Sequence, residues 1–230
     1  MRRRQVSEDF LLSAGSADGI AAAQSQLQTI EGVQVLGNVG DRNVIVRVPV
    51  TAVQQLQDMA KSVAVLLSPF NEVAEWFIGT LSAEQLKGVV QAFQGLGIEL
   101  VRIIRDRLGD RQCIARATPS ALVALLAVAP KGGILIAARD LMSDWLISAP
   151  TESQLNAAVQ QFPALNIEII RGIGNLRSEI RATPAALEGL ISSPSGSDLL
   201  LAPSGKVSLA PAGEINASLI QSRELKSNVA

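Results

Sequence analysis

The chain contains few of the side chains that catalyse reactions at neutral pH. Its 230 residues include no histidine and no tyrosine, so the most common general base of enzymes is missing. Cys113 is the only cysteine, and the apolar Ile114 and Ala115 beside it indicate a buried strand position rather than a reactive thiol. No serine lies in a nucleophile-elbow pattern, and no cluster has the spacing of a zinc or calcium site. We therefore expect no enzyme activity, no catalytic residue, no metal and no cofactor.

Three arginines at equivalent positions, Arg47, Arg116 and Arg181, are the candidates for contact with a partner. Each alternates with apolar residues in a strand pattern, and Glu99 and Glu168 are predicted to lie opposite two of them. One interpretation is a cross-strand ion pair on a solvated sheet, worth about 0.2–1 kcal/mol. The other is a partner-binding patch on a sheet face. The residues of this candidate patch are Leu36, Ile45, Arg47, Val101, Arg116, Ile170 and Arg181.

These residues belong to a pattern that occurs three times in the chain. The tetrad Arg-Ala-Thr-Pro at 116–119 recurs at 181–184, and an acidic residue followed by Trp76 recurs before Trp145. In the first, more diverged copy, Phe10 occupies the tryptophan position. Hydrophobic periodicity in each copy predicts a strand, a helix, two strands, a second helix and a last strand.

The hairpin between the second and third strands tests the repeat more strictly. Placing Gln34 opposite Arg47 centres the first turn on the Gly-Asp pair at 40–41. The same register in the third copy centres its turn on the Gly-Asn pair at 174–175, and both pairs suit a two-residue turn. In the middle copy this register leaves a four-residue loop at 106–109. One register therefore fits all three copies.

The order βαββαβ predicts an α+β fold of three tandem ferredoxin-like units. Each unit is a four-stranded antiparallel sheet with two helices on one face, which leaves the other face (the outer face) open. Units of this size have marginal cores and short linkers here, so we expect them to pack on each other, with Trp76 and Trp145 in the seams. The predicted boundaries are 1–75, 76–144 and 145–210 for the repeats and 211–230 for a C-terminal helix or tail.

Composition excludes several classes of partner. The 20 basic and 21 acidic residues give a net charge of −1, which argues against a large nucleic-acid or anionic-membrane surface. Aromatic residues are 3% of the chain, too few for a base-stacking platform. No apolar run approaches the roughly 20 residues of a membrane span, and no signal-type segment follows the basic residues 2–4. We expect a cytoplasmic protein with a protein partner or self-association, and neither nucleic acid nor membrane.

The segment at 43–67 resembles the propeptides of subtilisin-like serine proteases, which also act as inhibitors. It combines an apolar strand bearing an arginine, a helix with Leu-x-x-Leu-type spacing and a Val-rich strand, and the same order appears at 112–138 and 178–202. The resemblance implies the ferredoxin-like fold. It also implies an outer sheet face that packs on two protease helices, and a C-terminal strand that enters the protease active site.

These observations predict a non-catalytic protein-binding module. The specific expectation is a propeptide-like inhibitor or chaperone of a subtilisin-like serine protease, acting through the outer face of one or more repeats. The alternative is a structural protein whose repeats self-assemble or scaffold a larger complex through strand edges or sheet faces. Small-molecule sensing is a third option, but the loops after the first strands lack a consistent glycine signature.

Overall fold

The computed structural model describes residues 6–39, 42–128 and 134–203. Within these residues the chain forms three four-stranded antiparallel sheets, each with helices packed on one face. The prediction of an α+β fold with three tandem ferredoxin-like units is confirmed. The predicted C-terminal helix or tail at 211–230 lies outside the described residues. No helix in the described part of the chain is long and apolar enough to span a membrane.

The elements follow the predicted order in every repeat. In repeat 1 they are β1 Ser7–Ser13, α1 Ala17–Leu27, β2 Gln34–Val39, β3 Asn43–Pro49, α2 Val53–Ser62 and β4 Leu66–Pro69. In repeat 2 they are β5 Ala74–Gly79, α3 Ala83–Leu96, β6 Glu99–Asp106, β7 Gly109–Ala117, α4 Pro119–Val128 and β8 Leu135–Ala138. In repeat 3 they are β9 Ser143–Ser148, α5 Glu152–Val159, α6 Phe162–Leu165, β10 Glu168–Gly172, β11 Arg177–Ala182, α7 Pro184–Ile191 and β12 Leu200–Pro203.

The strand order is the same in the three sheets: β2-β3-β1-β4, β6-β7-β5-β8 and β10-β11-β9-β12. The first strand of each repeat is therefore central, and the second strand is always an edge. Hydroxyl side chains accept a hydrogen bond from the backbone N–H three residues on and so cap the helices that the sequence predicted. The capping residues are Ser16, Ser82, Thr118, Thr151 and Thr183. Such a cap stabilises a helix by about 1 kcal/mol.

The first helix of repeat 3 differs from the prediction of one continuous helix. It is divided into α5 and α6 around Gln160 and Gln161. Pro163 lies in the first turn of α6 and has no N–H to donate to the carbonyl of Val159. The apolar stripe still reaches the core, because Leu155 and Phe162 are both buried.

The hairpin register predicted from the arginines is present in all three sheets. The observed pairs are Gln34 with Arg47, Glu99 with Arg116 and Glu168 with Arg181. Two residues beyond each pair, the edge strand has a β-bulge. The extra residues of the bulges are Leu36, Val101 and Ile170. A bulge at the same position in three diverged copies is a feature of the repeat, not an accident of one strand.

The bulges alter the turns that uniform pairing predicted. In repeat 3 the loop has three residues, 174–176, and the N–H of Ile173 donates to the carbonyl of Arg177 at 2.9 Å. In repeat 2 a second irregularity, between Ile104 and Arg105, cancels the first, so Asp106 pairs with Gly109 as uniform pairing requires, and the loop has two residues instead of the four expected. The predicted turn at 40–41 lies outside the described residues.

The three repeats form one stack rather than separate domains, as predicted. Leu11 and Val39, on the outer face of sheet 1, belong to the apolar cluster of repeat 2. Phe77, Ile104 and Ile114, on the outer face of sheet 2, belong to that of repeat 3. Repeat 2 therefore covers the outer face of sheet 1, and repeat 3 covers the outer face of sheet 2.

Trp145 lies in the seam between repeats 2 and 3, as predicted. Its ring meets that of Phe77 edge-on, with centroids 5.4 Å apart. The guanidinium of Arg42, from repeat 1, lies 5.7 Å from the centre of the same ring. Trp76 is also fully buried, in the cluster that repeat 2 shares with Leu11. All three repeats thus contribute to the region around one tryptophan.

Two of the helices that lie between sheets, α4 and α7, are almost entirely covered. Every residue of α4 up to Leu126 is buried or half-buried, and α7 exposes only Gly189. By contrast, α2 has no sheet outside it and exposes Gln54, Gln57 and Lys61. The helical side of repeat 1 is therefore a polar end of the stack.

Cys113 is buried in the core of repeat 2, as its apolar neighbours predicted. Burial raises the pKa of its thiol to about 12, so almost no thiolate is present at pH 8. We expect a thiol reagent to label native Cys113 at least ~1,000-fold more slowly than the urea-unfolded chain, because reaction requires local opening. The control is Ser25→Cys, an exposed position on α1 that is expected to label at once. Rapid labelling of native Cys113 would contradict the burial.

Candidate partner-binding surface

The structure separates the predicted patch into two groups. The three arginines lie on the outer faces, where each is about half exposed. Ile45 also lies on an outer face, but it packs against the apolar cluster of repeat 2 and is covered. Leu36, Val101 and Ile170 are bulge residues on the edge strands and are exposed.

Arg47 and Arg181 are held by carboxylates of the adjacent central strand. Arg47 Nε donates to Asp9 Oδ1 at 2.8 Å, and Arg181 Nε donates to Asp144 Oδ1 at 2.8 Å. The hydrogen bond from Arg47 keeps the pKa of Asp9 below its ordinary value, against the opposing effect of partial burial. These arginines are occupied within the sheet, which agrees with the ion-pair interpretation.

In repeat 2 the ion-pair network is larger. Arg116 Nε donates to Glu75 Oε1 at 3.0 Å, whereas the predicted partner Glu99 lies 3.7 Å from the Arg116 guanidinium. Glu75 also accepts from Arg139, which in turn donates to Glu188 Oε2 of α7 at 3.1 Å. Burial raises the pKa of Glu75, but the hydrogen bonds from Arg139 and Arg116 outweigh it and the net shift is downward.

The main partners of the arginines were missed by the sequence analysis, although a signal was present. Asp9, Glu75 and Asp144 each come directly before the recurrent aromatic residue. Their position in the first strand of the repeat places them on the outer face beside the arginine of the third strand. Only the strand order shows that the first strand, rather than the second, supplies the closer carboxylate.

The largest group of exposed aliphatic side chains lies on the three edge strands. These residues, called the edge strips, are 36–52% exposed. They are Val35 and Leu36 on β2, Leu100, Val101 and Ile103 on β6, and Ile169 and Ile170 on β10. More than half of the large apolar side chains that the described residues expose belong to the edge strips. Exposed apolar side chains grouped along a strand are a common feature of interaction sites.

The bulges change which residues of the edge strands occupy the outer faces. Strict alternation predicted Leu36, Val101 and Ile170 on those faces. The extra residue shifts the register, so Arg102 and Arg171 take the outer-face positions opposite Ile114 and Glu179. Gly37 takes the equivalent position in repeat 1. The bulge residues therefore have no opposite residue in the third strand, and they are exposed.

The outer face of sheet 3 differs from the other two. Among the described residues, no repeat packs on it. Several of its side chains are nevertheless less than 10% exposed. These are Ser148, Arg177, Leu200 and Ala202, on three adjacent strands. None of the four belongs to the apolar clusters of the described residues.

A cleft of about 500 Å³ lies between β6 and the segment after α7. It is lined by Arg105 and Arg107 but also by Asp198, so its charge is mixed. Arg102 at its edge is already bound to Glu188. The cleft offers no consistent chemistry for one ligand class, and small-molecule sensing gains no support from it.

No protein-family model matches the sequence, and no curated protein matches it. Solved structures match parts of the chain at low identity. A microcompartments protein from Desulfitobacterium hafniense is 15% identical, with 58% of this chain and 94% of that chain covered and a TM-score of 0.24. The acetolactate synthase small subunit from Thermotoga maritima is 12% identical, with the same shares covered and a TM-score of 0.24. The regulatory subunit of aspartate kinase from Thermus flavus is 14% identical, with 52% and 88% covered and a TM-score of 0.25.

Proposed function

We propose that the chain is a non-catalytic protein-binding module whose partner docks on the edge strips. The observation that carries this proposal is the recurrence of exposed aliphatic residues at the bulged edge of all three sheets. Burial of apolar surface at about 25 cal/mol per Å² is the main driving force of protein association.

The bulges determine how a partner is able to bind. An unbroken edge strand accepts an added strand through its backbone groups. A bulge twists the strand and interrupts that ladder, which protects the edge from indiscriminate pairing. The partner of this protein therefore makes side-chain contacts with residues such as Leu36, Val101 and Ile170, rather than extending the sheets.

A photo-cross-linking amino acid at position 101 tests the proposal. We expect cross-links to a discrete protein, and we expect Leu36→Lys and Ile170→Lys in the same chain to reduce their yield at least ~5-fold, because a charge on apolar contact surface is costly to bury. The control places the cross-linker at Gln57, on the polar face of α2. Cross-linking at position 101 no greater than at the control would overturn the proposal.

A propeptide-like role is a separate proposal, because it uses an outer sheet face instead of the edge strips. It requires an outer sheet face that is free to meet a protease, and repeats 1 and 2 use theirs inside the stack. Repeat 3 is the unit whose outer face meets no other repeat among the described residues, so it is the repeat we propose for that role. Mixing the full chain at micromolar concentration with a subtilisin and following peptide cleavage tests it. Unchanged cleavage would reject the inhibitor role and leave the edge-strip proposal to its own test.

Self-assembly through the edge strips is the alternative. The apolar character of the strips favours it, whereas the bulges oppose continuous sheet formation. Light scattering over a range of concentrations distinguishes the two. A mass that rises with concentration, and that Val101→Lys returns to the monomer value, would favour assembly over a different partner.

A further inference from the structure

The outer face of sheet 3 has a cover that the repeats do not provide. We propose that the chain's own C-terminal segment, residues 204–230, folds back over this face and takes the place of a fourth repeat. This inference does not depend on the edge-strip proposal, but it competes with the propeptide-like role of repeat 3, because the segment would have to leave this face before a protease could bind there.

Burial on that face is the first argument. Arg177, Ser148 and Leu200 form a row across β11, β9 and β12, and each is less than 10% exposed. Ala202, one row away, is equally buried. In contrast Arg181, two rows from Arg177 on the same strand, is exposed. The cover is therefore local and lies over the end of the sheet that contains Ser148.

The path of the chain is the second argument. β12 is an edge strand, and the described part of the chain ends there at Pro203. The ten residues at 204–213 reach up to about 33 Å when extended. A four-stranded sheet is only about 15 Å wide between its outer strands. Residues 204–213 are therefore long enough to span the sheet, so the residues after 213 can reach any part of its outer face.

The composition of the segment is the third argument. Ile215 and Leu219 are four residues apart and lie on one side of a helix if 214–228 is helical. A helix of that length is about 22 Å long, enough to cross the sheet. Helices already lie on the other two outer faces: α4 on sheet 1 and α7 on sheet 2, where α7 contributes Glu188 as well as apolar residues.

A second copy of the chain fits this face less well. In a head-to-tail stack, the helical side of repeat 1 would meet it. That side presents the polar Gln54 and Gln57 of α2, whereas the equivalent residues are Val123 and Leu126 in α4, and Glu188 and Ile191 in α7. The C-terminal segment supplies the apolar residues that α2 lacks.

Thiol protection at Ser148 tests the proposal, since cysteine is nearly isosteric with serine. In the full chain, Ser148→Cys is expected to react at least ~10-fold more slowly than the exposed control Ser25→Cys, at every protein concentration. Ending the chain after Pro203 is expected to remove most of that protection. Cys113 is buried and does not contribute. Protection that survives truncation, or that rises with protein concentration as a second copy would cause, overturns the proposal.

A full-length variant covers the case in which the truncated chain does not fold. Ile215→Lys with Leu219→Lys is expected to raise the reactivity of Ser148→Cys at least ~5-fold, because two charges on the docking side oppose burial. The matched control, Asn216→Lys with Gln221→Lys, adds the same charge elsewhere on the segment and is expected to leave reactivity unchanged. Equal reactivity of the two variants would count against docking of this segment.

Discussion

Replacing Asp106 by alanine is expected to lower the free energy of unfolding by about 3–5 kcal/mol, because it leaves the charge of Arg111 buried without its partner. Both side chains are almost inaccessible, at 0% and 4% exposure. Asp106 Oδ1 also accepts a hydrogen bond from the N–H of Leu108 at 2.8 Å, which shapes the turn of the β6–β7 hairpin. Urea denaturation followed by tryptophan fluorescence measures the loss.

The same hairpin offers a matched control. Asp110 is only four residues away, but it is about half exposed and lies 3.7 Å from Arg105. Asp110→Ala is therefore expected to lower the free energy of unfolding by less than about 1 kcal/mol. Replacing Asp106 and Arg111 together by leucine and methionine is expected to recover most of the stability, since a buried pair exchanged for apolar residues is often neutral. Equal effects of Asp106→Ala and Asp110→Ala would show that the pair is not buried in solution.

Substituting valine for Glu188 is expected to lower the free energy of unfolding by about 2–4 kcal/mol, because Glu188 is the buried centre of the contact between α7 and sheet 2. Glu188 forms ion pairs with Arg102 of β6 and with Arg139, which follows β8. Removing its carboxylate therefore takes an ion-pair partner away from both guanidinium groups. Calorimetry and hydrogen exchange of β6 measure the loss of docking, since α7 belongs to repeat 3 and β6 to repeat 2.

The contact between repeats 1 and 2 suggests a second substitution that would compensate for Glu188→Val. There the position equivalent to Glu188 is Val123, and the position equivalent to Arg139 is Phe70. The backbone contact is the same in both places: the N–H of Ser120 donates to Phe70 and that of Ala185 to Arg139, each at 3.2 Å. One interface is thus apolar where the other is ionic.

A double-mutant cycle follows from this comparison. Glu188→Val with Arg139→Phe is expected to be at least about 1 kcal/mol more stable than the sum of the single changes predicts. Glu99→Ala is the control, because Glu99 is on the same sheet but 67% exposed and 3.7 Å from Arg116. Strict additivity of the two substitutions would show that Glu188 and Arg139 do not interact.

The two interfaces also keep the repeats in a fixed order. A repeat that presents Glu188 requires the arginines of sheet 2, and sheet 1 has Gly37 and Phe70 at those positions. Docking repeat 3 on sheet 1 would bury a carboxylate without a partner, which is strongly unfavourable. The stack is therefore specified by its interfaces as well as by chain connectivity.

Local features of the fold were predictable because they depend on neighbours in sequence. Helix caps such as Ser82 require a hydroxyl and a free N–H three residues on, and both are visible in the sequence. The pairing of Glu99 with Arg116 follows from the symmetry of one hairpin. The division of the helix at Pro163 was also encoded locally but was overlooked, because the stripe of Leu155 and Phe162 continues across it.

The candidate surface was less predictable because a single residue changes which side of a sheet a side chain faces. Alternation assigned Val101 to the outer face, but the bulge gives that position to Arg102, where it meets Glu188 of another repeat. The sequence analysis named Leu36, Val101 and Ile170 as partner-binding residues, and that role stays a prediction.

The sequence by itself determined three ferredoxin-like units, the order of their helices and strands along the chain, and one hairpin register, since each depends on spacing within a repeat. Only the tertiary structure decided which sheet faces are covered, because that depends on how a whole repeat sits on the next. Contacts such as Arg139 with Glu188, and Arg42 with Trp145, join residues from different repeats. The periodicity within one copy does not show which residues of another copy it will contact. The copies differ at these positions because each one contacts different neighbours.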